Sequence, residues 1–307
     1  MAILICAPDR ANESLARDLA GHLPGVDVRI WPEVGESGDI DFAVLWKHPP
    51  GLVNSLPNLK AISSLGAGIE HLVNDPTIPP SLPVGRLAGP RLSEDMAAWL
   101  VGHIIADWRD FARFHDQQSD HNWHPWAPSR PARVGILGLG HMGQTTARAL
   151  VTLGFDVMGW RRDGGELDGV SVYRGQTGLT QLVAQADYLV CLLPLTPQTR
   201  GILNADLMGH LPLDSVLINV GRGAHLVEDD LLEALQHRRP GRAILDVFNT
   251  EPLPADHPFW SHPNITVSPH CAALTDPKEA AELLAASYTR VQAHQAPIGQ
   301  VDLSQGY

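Results

Sequence analysis

The chain has 307 residues, 44% of them hydrophobic and 18% charged, which suits a soluble globular protein with a sizeable core and room for two domains. Its formal charge of −12 argues against a nucleic-acid partner, which would need a basic face. Three widely spaced cysteines, Cys6, Cys191 and Cys271, match neither a disulfide framework nor a metal site, and a reducing cytoplasm fits them.

The apolar start Met1–Cys6 lacks a basic leader and is cut short by Asp9 and Arg10, so it reads as a first strand, not a signal peptide. No apolar run reaches membrane-spanning length. Further strand candidates follow at 27–31, 42–46, 60–65 and 83–87, with a helix over Asn12–Leu23 and a short one over Gly68–Val73. A long helix is expected from Ser93 as N-cap to about residue 115, with Met96, Leu100, Ile104, Trp108 and Phe111 at helical spacing. A Trp-, His- and Pro-rich loop, 121–131, comes next.

Then the apolar run Arg133–Leu137 leads into Gly138-Leu139-Gly140-His141-Met142-Gly143 and a stretch of helix formers. Strand, G-x-G-x-x-G and helix in that order form a dinucleotide turn. Gly138 allows the tight bend, Gly140 lets a pyrophosphate approach, and Gly143 lets the helix pack close to the sheet. The helix N-terminus would offer N–H groups and partial positive charge to the phosphates. Strands are expected beyond it at 156–160, 188–193, 215–220, 242–247 and 265–268. A last helix, with Asp276 as N-cap, Pro277 at N1 and Glu279 closing a capping box, should run to about His294.

This alternation predicts an α/β fold of two Rossmann-like, doubly wound parallel-sheet domains. The nucleotide domain, 96–273, would be inserted into a flavodoxin-like substrate domain made of 1–95 and 274–307, with cofactor and substrate meeting between them.

An NAD-binding turn usually has an acid at the end of its second strand to hold the ribose. Here Phe155–Trp160 ends in Arg161-Arg162-Asp163. Guanidinium forks suit a 2′-phosphate, so NADPH is the expected cofactor, with NADH weaker. Asp156 or Asp163 would bind the ribose if the strand end were misplaced, and both arginines could simply be solvated.

Polar groups also stand where later strands should end: Gly221-Arg222-Gly223, the segment Asp246–Pro254, and Pro269-His270-Cys271. With the glycine turn and Leu193-Pro194-Leu195-Thr196-Pro197, they resemble the D-2-hydroxyacid dehydrogenase family in order and surroundings. Leu45-Trp46, His48-Pro49-Pro50, Leu65-Gly66-Ala67-Gly68 and the end Gly299–Asp302 with Gly306-Tyr307 are similar to the glyoxylate/hydroxypyruvate reductase A group within it. Glu70 and Lys47 depart from that pattern, and 86–94 follows it loosely.

The resemblance implies NADPH-dependent reduction of small 2-oxo acids: glyoxylate to glycolate and hydroxypyruvate to D-glycerate. His270 would give the proton, since imidazole titrates near working pH. Glu251 would hold the ring's other nitrogen and favour the imidazolium. Arg222 would polarise the carbonyl and hold the carboxylate, assisted by the backbone of Gly66, Ala67 and Gly68. Leu193, Pro194 and Asp246 would touch the cofactor, along with the glycine-turn residues His141 and Met142. Trp46 is either packing or a pocket wall; Lys47 and Arg91 suit a solvated face, and Cys271 suits packing. A homodimer across the nucleotide domains is implied for the long helix. Glu251 argues against the formate dehydrogenases, which pair Gln with His. A sibling acting on a bulkier acid, or a redox-sensing interaction protein, remains open.

Overall fold

The computed structural model describes residues 1–128, 132–162, 164–304 and 306, so Asp163 and Tyr307 lie outside the described residues, as does the end of the loop at 129–131. The chain divides into two compact units, Met1–Leu92 with Thr275–Tyr307, and Ser93–Leu274.

The first unit holds β1 (Ala2–Cys6), β2 (Asp27–Ile30), β3 (Ile40–Leu45), β4 (Ala61–Ser64) and β5 (Val84–Arg86) in one parallel sheet, order β2-β1-β3-β4-β5. Alternation along β1 sorts its side chains between the two faces. Ile3 and Ile5 pack with Leu15 and Leu19 of helix Glu13–His22 and with Ala281, Leu284 and Tyr288 of helix Pro277–Gln292, while Ala2, Leu4 and Cys6 join Leu56, Ile62 and Leu72. Burying each Leu or Ile contributes about 1.5–3 kcal/mol. The chain's last long helix therefore completes the core begun by its first strand.

That helix starts as its residues dictate: Asp276 accepts the N–H groups of Lys278 (2.9 Å) and Glu279 (3.0 Å), and Pro277 takes the first position. Glu279 does not close a capping box. Its carboxylate instead accepts the Arg91 N–H at 3.2 Å, in the first turn of helix Pro90–Trp108.

The second unit holds β6 (Arg133–Leu137), β7 (Asp156–Trp160), β8 (Val170–Tyr173), β9 (Tyr188–Cys191), β10 (Val216–Asn219), β11 (Arg242–Leu245) and β12 (Ile265–Val267). All pair in parallel, in the order β12-β11-β10-β9-β6-β7-β8. Strand order reverses between β6 and β9, which opens a crevice at their carboxyl ends. The edge strand β8 escaped the sequence reading because it is short and only Val170 of its four residues is buried.

The long helix begins at Pro90, three residues before the expected cap, because proline already holds the φ a first helical residue needs. It ends at Trp108. Asp110, at φ 51°, breaks the path and caps a separate helix, Phe111–Ser119, by accepting the Arg113 N–H. Met96, Leu100 and Ile104 are buried as the periodicity predicts, Trp108 packs on Phe155 at 5.0 Å, but Phe111 is exposed. Asp107 ties this helix to the sheet through Tyr188 Oη (2.6 Å) and Arg242 (2.9 Å). No helix among the described residues is long and apolar enough to cross a membrane.

Candidate active site

In the second unit the candidate residues stand on loops that leave the carboxyl ends of successive strands. The glycine turn follows β6. Gly138 has φ +104°, and a Cβ there would lie 2.8 Å from the Leu192 carbonyl oxygen. At Gly143 a Cβ would lie 2.0 Å from the Gly138 carbonyl oxygen, so the helix can approach only as glycine. At Gly140, among the described residues, nothing lies within 4 Å of a Cβ position, and no side chain caps helix His141–Thr152. A space that a side chain would fill thus faces a helix N-terminus, which fits a dinucleotide pyrophosphate. Leu193 and Pro194 follow β9 across the same strand-order reversal.

Arg161 and Arg162 follow β7, and the Arg161 N–H donates to Tyr173 O at 3.2 Å. Asp156 begins that strand and pairs in register with Arg133, the first residue of β6, at the amino end of the sheet away from the glycine turn, so the ribose role considered for it fails. Asp163, its rival, lies outside the described residues.

Arg222, Glu251 and His270 follow β10, β11 and β12. His270 Nδ1 and Glu251 Oε2 are 2.7 Å apart, with the two side chains 45% and 36% exposed. The Phe248 N–H donates to Glu251 Oε1 at 3.0 Å. Burial alone would raise the Glu251 carboxyl, but the bonds from His270 and Phe248 and the nearby charge of Arg222 hold it below the usual carboxylate range. His270 has φ 51°, a conformation rare for non-glycine residues and often found at functional positions.

Asp246 explains how that strained backbone is held. Its buried carboxylate accepts Ser268 Oγ (2.6 Å), Cys271 N (2.9 Å) and Ala272 N (3.0 Å), while its carbonyl accepts His270 N (2.9 Å). The residue expected at the cofactor is thus also the anchor of the histidine loop. Sequence reasoning did not identify Ser268 or His103; the latter's ring lies 4.1 Å from that of Trp99, tilted by 48°, and burial lowers its pKa against the charge of Asp246.

In the first unit Trp46 follows β3, and Gly66, Ala67 and Gly68 follow β4. A Cβ on Gly66 would lie 2.8 Å from Trp46 Cζ3. The Arg10 guanidinium sits 4.5 Å from the indole and the His71 ring 4.9 Å from it. Ser64 Oγ donates to Gly68 O at 2.7 Å. Lys47 is in an exposed ion pair with Asp9 (3.1 Å), Arg91 pairs with the partly buried Asp276 (2.9 Å), and Glu70 opens the short helix Glu70–Val73.

Cys6 and Cys191 are buried, which pushes their thiols to about 11 and about 12. Cys271 is exposed, and partial desolvation and Asp246 raise it as well, away from thiolate chemistry. Among the described residues no group of three or more His, Cys, Asp or Glu side chains could hold a metal.

Residues 101–272 match the family model for the NAD binding domain of D-isomer specific 2-hydroxyacid dehydrogenases. Glyoxylate/hydroxypyruvate reductase A of Serratia proteamaculans is 36% identical over 314 residues, covering 100% of both chains. A D-isomer specific 2-hydroxyacid dehydrogenase of Xanthobacter autotrophicus in complex with NADPH and MES superposes with a TM-score of 0.93 at 37% identity, over 100% of this chain and 99% of that one. The NADPH-dependent glyoxylate/hydroxypyruvate reductase of Sinorhizobium meliloti, in complex with NADP and sulfate, gives 0.90 at 34% identity over 100% of each chain.

Proposed function

The chain belongs to the D-isomer specific 2-hydroxyacid dehydrogenases, and from this we propose that it is an NADPH-dependent reductase of small 2-oxo acids, glyoxylate and hydroxypyruvate. The observation that carries the reading is the His270–Glu251 pair at 2.7 Å, with Arg222 on a neighbouring strand end. Bound NADPH supplies the hydride. Gly138, Gly140 and the helix start at His141, Met142 and Gly143 would hold its pyrophosphate, Arg161 and Arg162 its 2′-phosphate, and Leu193, Pro194 and Asp246 would contact its nicotinamide end.

The protein's own groups do the rest. Glu251 occupies His270 Nδ1, which leaves Nε2 to give a proton to the oxygen of the reacting carbonyl. Arg222 draws charge onto that oxygen and pairs with the carboxylate beside it. In the first unit, the Gly66-Ala67-Gly68 turn would offer backbone N–H groups to a substrate carboxylate. Trp46 is packed where a side chain on Gly66 would stand, and as a pocket wall it would favour the smaller acids.

Exposed Phe111 (54%) and Trp123 (95%) support a homodimer, which light scattering would weigh directly. Three free thiols suit a reducing cytoplasm. The test of function is initial rates with NADPH and NADH across glyoxylate, hydroxypyruvate, pyruvate and a bulky 2-oxo acid. Turnover of the small acids with NADPH preferred is expected; absence of turnover with all of them would return the chain to a dinucleotide-sensing role.

A further inference from the structure

Behind Arg222 stands a second histidine that the reaction itself does not use. His225 is 0% exposed, and its Nδ1 accepts the Arg222 backbone N–H at 3.0 Å. An accepting ring nitrogen carries no proton, so the ring's hydrogen is on Nε2, which donates to the Pro194 carbonyl at 3.3 Å. One nitrogen holds the residue bearing the substrate guanidinium. The other holds the loop after β9.

The surroundings leave this loop little freedom. Asn219, equally buried, donates from Nδ2 to Arg222 O (3.0 Å) and accepts Gly221 N at Oδ1 (3.2 Å). A Cβ on Gly223 would lie 1.9 Å from the Phe248 carbonyl carbon, so the chain already touches the segment leading to Glu251. Gly221 lies against the His225 ring, where a Cβ would come within 2.8 Å of Nδ1.

We propose that His225 is a positioning residue of the reduction: its neutral ring sets where the Arg222 backbone stands and couples it to Pro194. This rests on the reading of Arg222 as the substrate arginine. Asparagine at 225 can supply the acceptor at the Nδ1 position, glutamine the donor at the Nε2 position, and leucine neither.

The test compares H225N, H225Q and H225L in kcat and KM for glyoxylate, Kd for NADPH by its fluorescence, Kd for oxalate on the NADPH complex, and Tm. H225Q and H225L should lose about 10–100-fold in kcat/KM, the scale expected when a catalytic group is misplaced, while H225N keeps most of it at a comparable fall in Tm. In an R222K background H225Q should cost no more than about twofold further, because the two changes disturb one interaction. Losses that track Tm alone across the three variants, or that multiply fully with R222K, overturn the proposal. If the wild type reduces none of the acids, the functional reading falls, and the oxalate Kd decides the rest. A Kd raised in H225Q and kept in H225N sustains the positioning role; one unmoved, or raised equally in both, ends it.

Discussion

The imidazole Nδ1 of His270 lies 2.7 Å from Oε2 of Glu251, and that carboxylate is itself aimed by the Phe248 N–H on its other oxygen. A ring held this way presents Nε2 alone to a substrate. Its backbone, at φ 51°, is kept in place by Asp246, buried beneath it. The pair is therefore built from both sides, one carboxylate orienting the ring and another the loop that carries it.

Replacing the ring should remove the proton without disturbing cofactor phosphates. H270A is expected to lower kcat by about 10²–10⁴-fold with NADPH affinity nearly unchanged. A surviving rate would remove His270 from the proton step.

E251Q keeps an acceptor at His270 Nδ1 but removes its charge, so kcat should fall about tenfold, the difference between a charged and a neutral hydrogen bond, with the NADPH Kd unchanged. An unmoved kcat would separate Glu251 from the proton step.

Arg222 offers a planar fork whose Nη1 also donates to Gly221 O at 2.6 Å. Lysine keeps the charge but not the fork, so R222K should cost about 100-fold in kcat/KM for 2-oxo acids. Retained activity would mean that charge alone suffices there.

Much of this was legible because the chemistry sits in short motifs at strand ends. The five strands of the first sheet and the glycine turn announced themselves by apolar runs ending in special residues, and each lies within two residues of its expected bounds. What stayed hidden depends on contacts across the sequence. Glu279 fits a capping box by spacing, yet it turns to Arg91, 188 positions away. The Asp110 break is a backbone feature that the apolar periodicity from Met96 to Phe111 overrides on paper. His225 had a local signal, three residues beyond Arg222, but its meaning needs the burial and the Pro194 carbonyl to be seen.

Asp75 makes an acid-stability prediction away from the chemistry. Burial would raise its carboxyl, but Thr77 Oγ1 (2.6 Å), His48 Nε2 (2.8 Å) and Thr77 N (2.8 Å) hold it below 3.8. Falling pH therefore protonates it in the unfolded chain first. Its stabilising contribution is whole above the ordinary carboxylate value and is lost as pH drops through the lower, folded one. D75N, which cannot titrate, should cost about 1–3 kcal/mol at neutral pH. Denaturant unfolding should show the gap to wild type narrowing below pH 3.8; a gap constant into stronger acid would contradict the depressed value.

Gly66 offers the sharpest test of the first unit's part in substrate binding. Its φ lies outside the left-handed region, so what an alanine would meet first there is a neighbouring side chain. That neighbour is the Trp46 ring, 2.8 Å from the new methyl at Cζ3 and 3.3 Å at Cη2. The indole is not free to retreat without cost, since Arg10 stacks at 4.5 Å and His71 stands 4.9 Å away. Either the ring shifts or the Gly66-Ala67-Gly68 turn does, and both change the N–H groups proposed for the carboxylate. G66A should then raise KM for glyoxylate about tenfold, one lost hydrogen bond to a charged group, and leave the NADPH Kd alone. Adding W46F, whose smaller ring relieves the clash, should recover part of the loss. A KM that G66A leaves unmoved would take the turn out of substrate binding.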